Sequence, residues 1–175
     1  MPTTKTLIVS VLALIGGCTG VPEGIDPVSN LDVERYEGTW YEIARLDHSF
    51  EEGLSNVTAD YSLQEDGSIR VINRGYSEES GKWEEAEGRA VFVGDEASGH
   101  LKVSFFGPFY ASYVVFRLDE DYRFAYITGY DRDYLWFLSK TPTVGDEALT
   151  QFRQVAREKG FDLEELILVD QNRNQ

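Results

Sequence analysis

The chain of 175 residues contains one cysteine, Cys18, which excludes an intramolecular disulfide and any metal site built from several thiolates. Two histidines, His48 and His100, leave little material for zinc or haem chemistry, and no cofactor is expected. Basic residues are scarce: 16 Lys and Arg stand against 31 Asp and Glu, a net charge of −15. A nucleic-acid partner is therefore excluded, because neutralising phosphates requires clustered cations. No apolar run approaches the roughly 20 residues that a helix needs to span a bilayer. Aromatics, by contrast, are plentiful: 10 Tyr, 10 Phe and 3 Trp fill or line something large and apolar. A hydrophobic share of 42 % supports one well-buried core and argues against disorder.

The N-terminus reads as an address. Residues 1–17 carry one cation, Lys5, and no acid, and 7–15 are apolar apart from Ser10. This fits a secretory signal rather than an anchor helix. Ile15-Gly16-Gly17-Cys18 resembles a bacterial lipobox, with Ile where Leu is usual. The resemblance implies cleavage before Cys18, acylation of that cysteine and attachment to a membrane through its chains. The 158-residue product would have a net charge of −16. The following Thr19-Gly20 lacks the Asp that resembles an inner-membrane retention signal, which implies the outer membrane, on its periplasmic side. Residues 18–30, with Pro22, Gly24, Pro27 and Ser29, read as a flexible tether, leaving 31–175 as the folded domain.

From residue 39 onward, apolar and polar residues alternate in short segments separated by turn signals, as in antiparallel strands with one wet face. Eight strands are expected, over 39–46, 57–63, 68–76, 85–93, 101–106, 111–118, 123–129 and 133–139. A meander of eight must dispose of its two edges, and closure into an up-and-down barrel removes them. Residues 146–159 change period: Leu149, Phe152, Val155 and Ala156 form a helical stripe, with Gly160 suited to the position after the helix. The fold class is thus all-β, an eight-stranded antiparallel barrel with one C-terminal α-helix packed outside. A last short strand is expected over 166–169.

Gly38-Thr39-Trp40 resembles the G-x-W signature of the lipocalin family. Phe105-Phe106-Gly107-Pro108-Phe109-Tyr110, Leu118-Asp119-Glu120-Asp121-Tyr122 and the stretch from Asp131 through Lys140 to Pro142 are similar to bacterial and animal lipocalins, in the same order. The resemblance covers nearly all of 32–169 and implies the same barrel and helix. It also implies that Trp40 plugs the closed end under a late cation, here Lys140 where Arg is usual. Lysine keeps the charge and loses the planar stacking surface.

No nucleophile-elbow pattern is present, and His48-Ser49 with Asp47, Glu51 and Glu52 reads as a surface turn. The acids at 78–79 and 84–87 flank Ser80-Gly81 at a hairpin tip, where charge is solvated. Binding is better supported. Where charges mark the outer face of a strand, alternate residues face in, which directs Tyr61, Asn73, Ala90, Phe92, Val103, Phe105, Phe124, Tyr126, Tyr134, Trp136 and Leu138 to the lumen. A barrel of this size is either filled by these side chains or holds one small ligand. The resemblance favours a cavity, and it places Tyr61, Asn73, Phe105, Tyr113 and Trp136 at lumen positions. Asn73 is informative, because an inward amide needs a partner. If Tyr113 faces in, so does Arg117 unless a bulge intervenes. Glu42 shares the parity of Trp40, so a Glu42–Arg117 pair is one expectation; the other puts Arg117 outside with Val114 and Phe116 inside.

The sequence therefore reads as a non-enzymatic, lipid-anchored lipocalin that holds a long-chain lipid, a fatty acid or a lysophospholipid, in its barrel. Competing readings are a lipid-modifying enzyme using Glu42 and Arg117, and a filled structural barrel. The strong negative charge favours a zwitterionic lysophospholipid over an anionic fatty acid unless Arg70, Arg74 or Lys102 cluster at the mouth. The aromatics of the loop 106–110 point to contact with a membrane or with a second copy in a homodimer.

Overall fold

The computed structural model describes residues 19–174. The signal segment and Cys18 lie outside the described residues. A short helix, α1 (Val33–Tyr36), precedes eight strands: β1 (Gly38–Leu46), β2 (Leu54–Leu63), β3 (Ile69–Ser77), β4 (Lys82–Phe92), β5 (His100–Phe106), β6 (Phe109–Leu118), β7 (Phe124–Thr128) and β8 (Leu135–Ser139). Helix α2 (Asp146–Glu158) and a short strand, β9 (Leu166–Leu168), follow. Each strand pairs antiparallel with its neighbour in sequence, and β1 pairs with both β2 and β8, which closes the barrel. Closure leaves no long unpaired edge among the eight strands. All eight expected strands are present, and the turns 64–68 and 78–81 fall at the anticipated hairpins.

Hydrophobic residues separate into two clusters. One fills the lower barrel, with Trp40, Val71, Leu101, Val115 and Ile127 among its members. The other lies outside the barrel wall, where Phe152 and Ala156 of α2 pack on Tyr126, Leu135 and Phe137. The Phe152 and Phe137 rings stack at 4.9 Å. Strands β7 and β8 are therefore buried on both faces. Gly88 serves the interior: a Cβ there would stand 2.7 Å from the Phe105 ring, so only glycine lets that ring cross β4.

Two expectations are corrected. The segment 19–30 is strapped to the barrel rather than loose: Val28 exchanges backbone hydrogen bonds with Val115 and Gly99, Ile25 is buried, and Gly20 O accepts from Ser112 Oγ. Apolar Val21, Ile25 and Val28, spaced among the Pro and Gly residues, supply the anchoring contacts. The loop between β5 and β6 is only Gly107-Pro108, joined by a cis peptide, because the strands run out to Phe106 and Phe109. The expected last short strand is present as β9, and it is tied into the barrel. The upper half of β1 pairs with β9 instead of β2, and Asn56 N donates to Asp170 O. The Gln171 amide donates to Glu42 O and Val57 O, so the C-terminal segment sews the gap between β1 and β2.

Candidate functional site

The barrel encloses a cavity of about 500 Å³, within the range of small-molecule sites. Its closed end is sealed from below by α1, whose Tyr36 packs on Trp40 with ring centroids 4.8 Å apart. Asp32 caps this helix by accepting from Arg35 N. The Trp40 indole donates to Tyr36 O, and Lys140 Nζ lies 4.5 Å from the indole centroid while donating to the Tyr36 and Glu37 carbonyls. Lysine thus caps backbone oxygens at the helix end as well as facing the ring. At the opposite end the loops 47–53, 78–81, 107–108 and 129–134 surround the mouth. Phe50, Phe106 and Phe109 stand there at 70 %, 77 % and 71 % exposure.

Tyr61, Asn73, Phe105, Tyr113, Trp136 and Leu138 all line the cavity, as do Ala90, Val103 and Tyr134. Phe92 faces inward but packs into the lower core without lining the cavity. Phe124 and Tyr126 are corrections. Both face outward: Tyr126 meets Phe152 of α2 at 5.0 Å and Phe137 at 5.2 Å, while Ala125 and Ile127 face in. The helix makes the outside of β7 apolar, so the contrast between faces that reveals direction elsewhere is missing here.

The expected Glu42–Arg117 pair is also overturned. Arg117 is exposed, because a bulge between Val115 and Arg117 resets the strand. Tyr113 and Val115 face in, whereas Val114 and Phe116 pack beneath α2, so of the second arrangement only the outward Arg117 holds. Glu42 does face the cavity and pairs with Arg45 instead, Nη1 to Oε1 at 2.8 Å, both side chains nearly inaccessible. Three residues apart on a regular strand they would face opposite ways. A register shift between Glu42 and Ala44 turns both inward. Arg45 Nη2 donates to Glu51 O and Leu54 O, holding the loop 47–53 over the barrel.

That loop brings two groups that sequence reading assigned to the surface. The His48 side chain is 6 % exposed, lines the cavity and packs against Trp136 at 5.0 Å. Its Nε2 stands 3.1 Å from Glu51 Oε2 without the alignment of a hydrogen bond, and Nδ1 has no partner among the described residues. Glu51 accepts from Trp136 Nε1 at 3.0 Å. Burial raises the Glu42 carboxyl well above its usual range, reinforced by nearby Glu51 and opposed by Arg45. Burial acts on Glu51 in the same sense, but His48, Trp136 and Arg45 outweigh it and hold that carboxyl below its usual value. The two buried carboxyls are thus pushed in opposite directions, Glu42 up and Glu51 down.

The lower wall carries three phenols. Tyr113 OH lies 2.8 Å from Tyr36 OH and 2.9 Å from Tyr61 OH, all three lining the cavity. Burial pushes each of them above the ordinary tyrosine range, so they remain neutral. Of the cations considered for the mouth, Arg74 alone borders the cavity, with its guanidinium 3.9 Å from the Trp83 ring centroid. Arg70 forms two hydrogen bonds to Glu87 on the outside, and Lys102 Nζ lies 5.0 Å from the Tyr110 ring.

A closed eight-stranded barrel with a hollow apolar interior, a plugged floor and one flanking helix defines a class of carriers for small ligands. The chain belongs to the lipocalin family: residues 31–171 match the profile described as a lipocalin-like domain. Outer membrane lipoprotein Blc of Vibrio cholerae serotype O1 is 57 % identical over 159 residues, covering 90 % of this chain and 93 % of that protein. The protein of the same name from Escherichia coli K12 is 53 % identical over 150 residues, covering 86 % and 85 %. Mouse apolipoprotein D is 32 % identical, covering 81 % and 78 %. Among solved structures, insecticyanin from the tobacco hornworm Manduca sexta superposes with a TM-score of 0.68 over 86 % of each chain at 20 % identity, a likeness of fold.

Proposed function

We propose that the protein is a lipid-anchored carrier of the outer membrane that holds a long-chain lipid in its barrel and performs no chemistry on it. The observation that carries this reading is the hollow interior of about 500 Å³ with walls that are overwhelmingly apolar. Each buried chain methylene contributes about 0.8 kcal/mol, so a long acyl chain outweighs the entropy of fixing it. The relatives named outer membrane lipoprotein support the lipobox reading of Cys18 and acylation there, and the reading places the anchored barrel on the periplasmic side. The Glu51 carboxyl at the cavity wall, held below its usual value, and the net charge of −15 overall favour a zwitterionic lysophospholipid over a free fatty acid. Glu42 has Arg45 as its partner and its carboxyl is built into the barrel seam, which speaks against the enzyme reading. The exposed Phe106 and Phe109 offer the apolar rim that a homodimer or a membrane contact would use.

Native mass spectrometry of the purified protein tests the carrier role. The expected result is a mass excess matching one long-chain lipid per barrel, and quenching or enhancement of Trp136 emission as lysophospholipid is added. A clean mass for the polypeptide alone, with no fluorescence response on titration, refutes it.

A further inference from the structure

The floor of the cavity is chemically unlike its walls. Tyr36 comes from the plugging helix, Tyr61 from β2 and Tyr113 from β6, so three separate elements converge three hydroxyls on one point. Three hydroxyls carry three protons, and two oxygen–oxygen contacts use two of them. Whichever way the chain of donors runs, one phenolic proton is left over. Among the described residues no carbonyl or carboxylate accepts it, since Tyr113 is the only hydrogen-bond partner of the outer two hydroxyls. A terminal methyl group pressed against this point would leave a buried donor unmade, which is the costly condition for a polar group.

We propose that Tyr36, Tyr61 and Tyr113 form a hydrogen-bonding subsite at the closed end of the cavity that takes a neutral acceptor oxygen carried on the buried end of the ligand. The inference rests on the carrier reading and refines its ligand class. The preferred occupant is an acyl chain or other apolar body bearing a ketone, ester, ether or hydroxyl oxygen far from its headgroup. A carboxylate is a poor occupant, because among the described residues the floor presents no free charged partner: the Lys140 ammonium lies against the Trp40 ring and is committed to the Tyr36 and Glu37 carbonyls. Phenols held neutral by burial suit a neutral acceptor. The floor would then fix which end of a ligand enters and how deep it goes, a selectivity that apolar walls do not supply.

The test is a cycle of ligand and protein changes. Lysophosphatidylcholine carrying a plain hexadecanoyl chain, and a series of its keto derivatives with the ketone moved stepwise along the chain, are titrated against the wild type and against Tyr36→Phe/Tyr61→Phe/Tyr113→Phe. The triple change keeps the rings and removes all three hydroxyls together. The expected result is a ketone position near the methyl end whose affinity relative to the plain chain is about fivefold better in the wild type than in the variant, the size of one neutral hydrogen bond. In the wild type, the infrared carbonyl stretch of that bound ketone should lie below its position in dry hydrocarbon, and this readout decides the matter should the variant not fold. Relative affinities that agree within twofold at every ketone position, or a carbonyl stretch at its hydrocarbon value throughout, overturn the subsite and leave the carrier reading intact. Failure of the plain chain and all ketones to bind the wild type overturns both.

Discussion

Replacing Ala59 by phenylalanine tests whether the cavity is the binding site. Ala59 lies on β2 between Trp40 of β1 and Asn73 of β3, and its methyl group faces open cavity. A benzene ring placed there displaces about four methylenes of a bound chain, worth about 3 kcal/mol at about 0.8 kcal/mol each. Affinity for hexadecanoic acid or its lysophospholipid should fall by about 100-fold. Stability should hold or rise, because the ring enters an existing void rather than a packed core. The assay is tryptophan fluorescence titration, with thermal unfolding as the control for folding. Wild-type affinity in a cooperatively folded Ala59→Phe protein would refute the reasoning, since the lipid would then have to sit elsewhere.

Tyr126→Ala should cost about 3–5 kcal/mol of stability by opening a cavity beneath α2, whereas Trp136→Ala should reduce lipid affinity more than stability; unfolding and titration curves of the two separate wall from core. The Glu42 carboxyl has a raised value in the fold, so it favours folding below the ordinary carboxylate range and loses that contribution as pH rises through the raised value. Glu42→Gln, which mimics the protonated form, should therefore gain stability relative to wild type as pH increases; a pH-independent difference in urea midpoints contradicts this. Glu51 has the opposite sign: its contribution is present above the ordinary carboxylate range and lost as pH falls through its lowered value, so Glu51→Gln should narrow its deficit on acidification. Lys140→Met removes both the cation over Trp40 and the donor to the end of α1, and about 1–2 kcal/mol of stability should go with it, measured by thermal unfolding.

Reading direction from the sequence worked wherever one face of a strand meets water. Arg70 and Arg74 face solvent and Val71 and Asn73 face in, because β3 has a charged outside and an apolar inside. The same rule failed at Phe124 and Tyr126, where α2 hides the outer face and both sides of β7 are apolar. It failed again at Arg117, where a bulge shifts parity by one residue and no local pattern announces it. His48 and Glu51 read as a solvated turn, since only the Arg45 guanidinium and the Trp136 indole reveal that the loop folds inward.

Period-two alternation, the turn residues and the amphipathic stripe of α2 are local properties, and they determined the strand count, the barrel and its flanking helix without reference to any distant contact. The hollow interior, the phenol trio drawn from three elements and the C-terminal segment sewn between β1 and β2 were decided only by tertiary structure. They depend on which residues close the ring brings within a few ångströms of one another, and separation along the chain carries no trace of that distance.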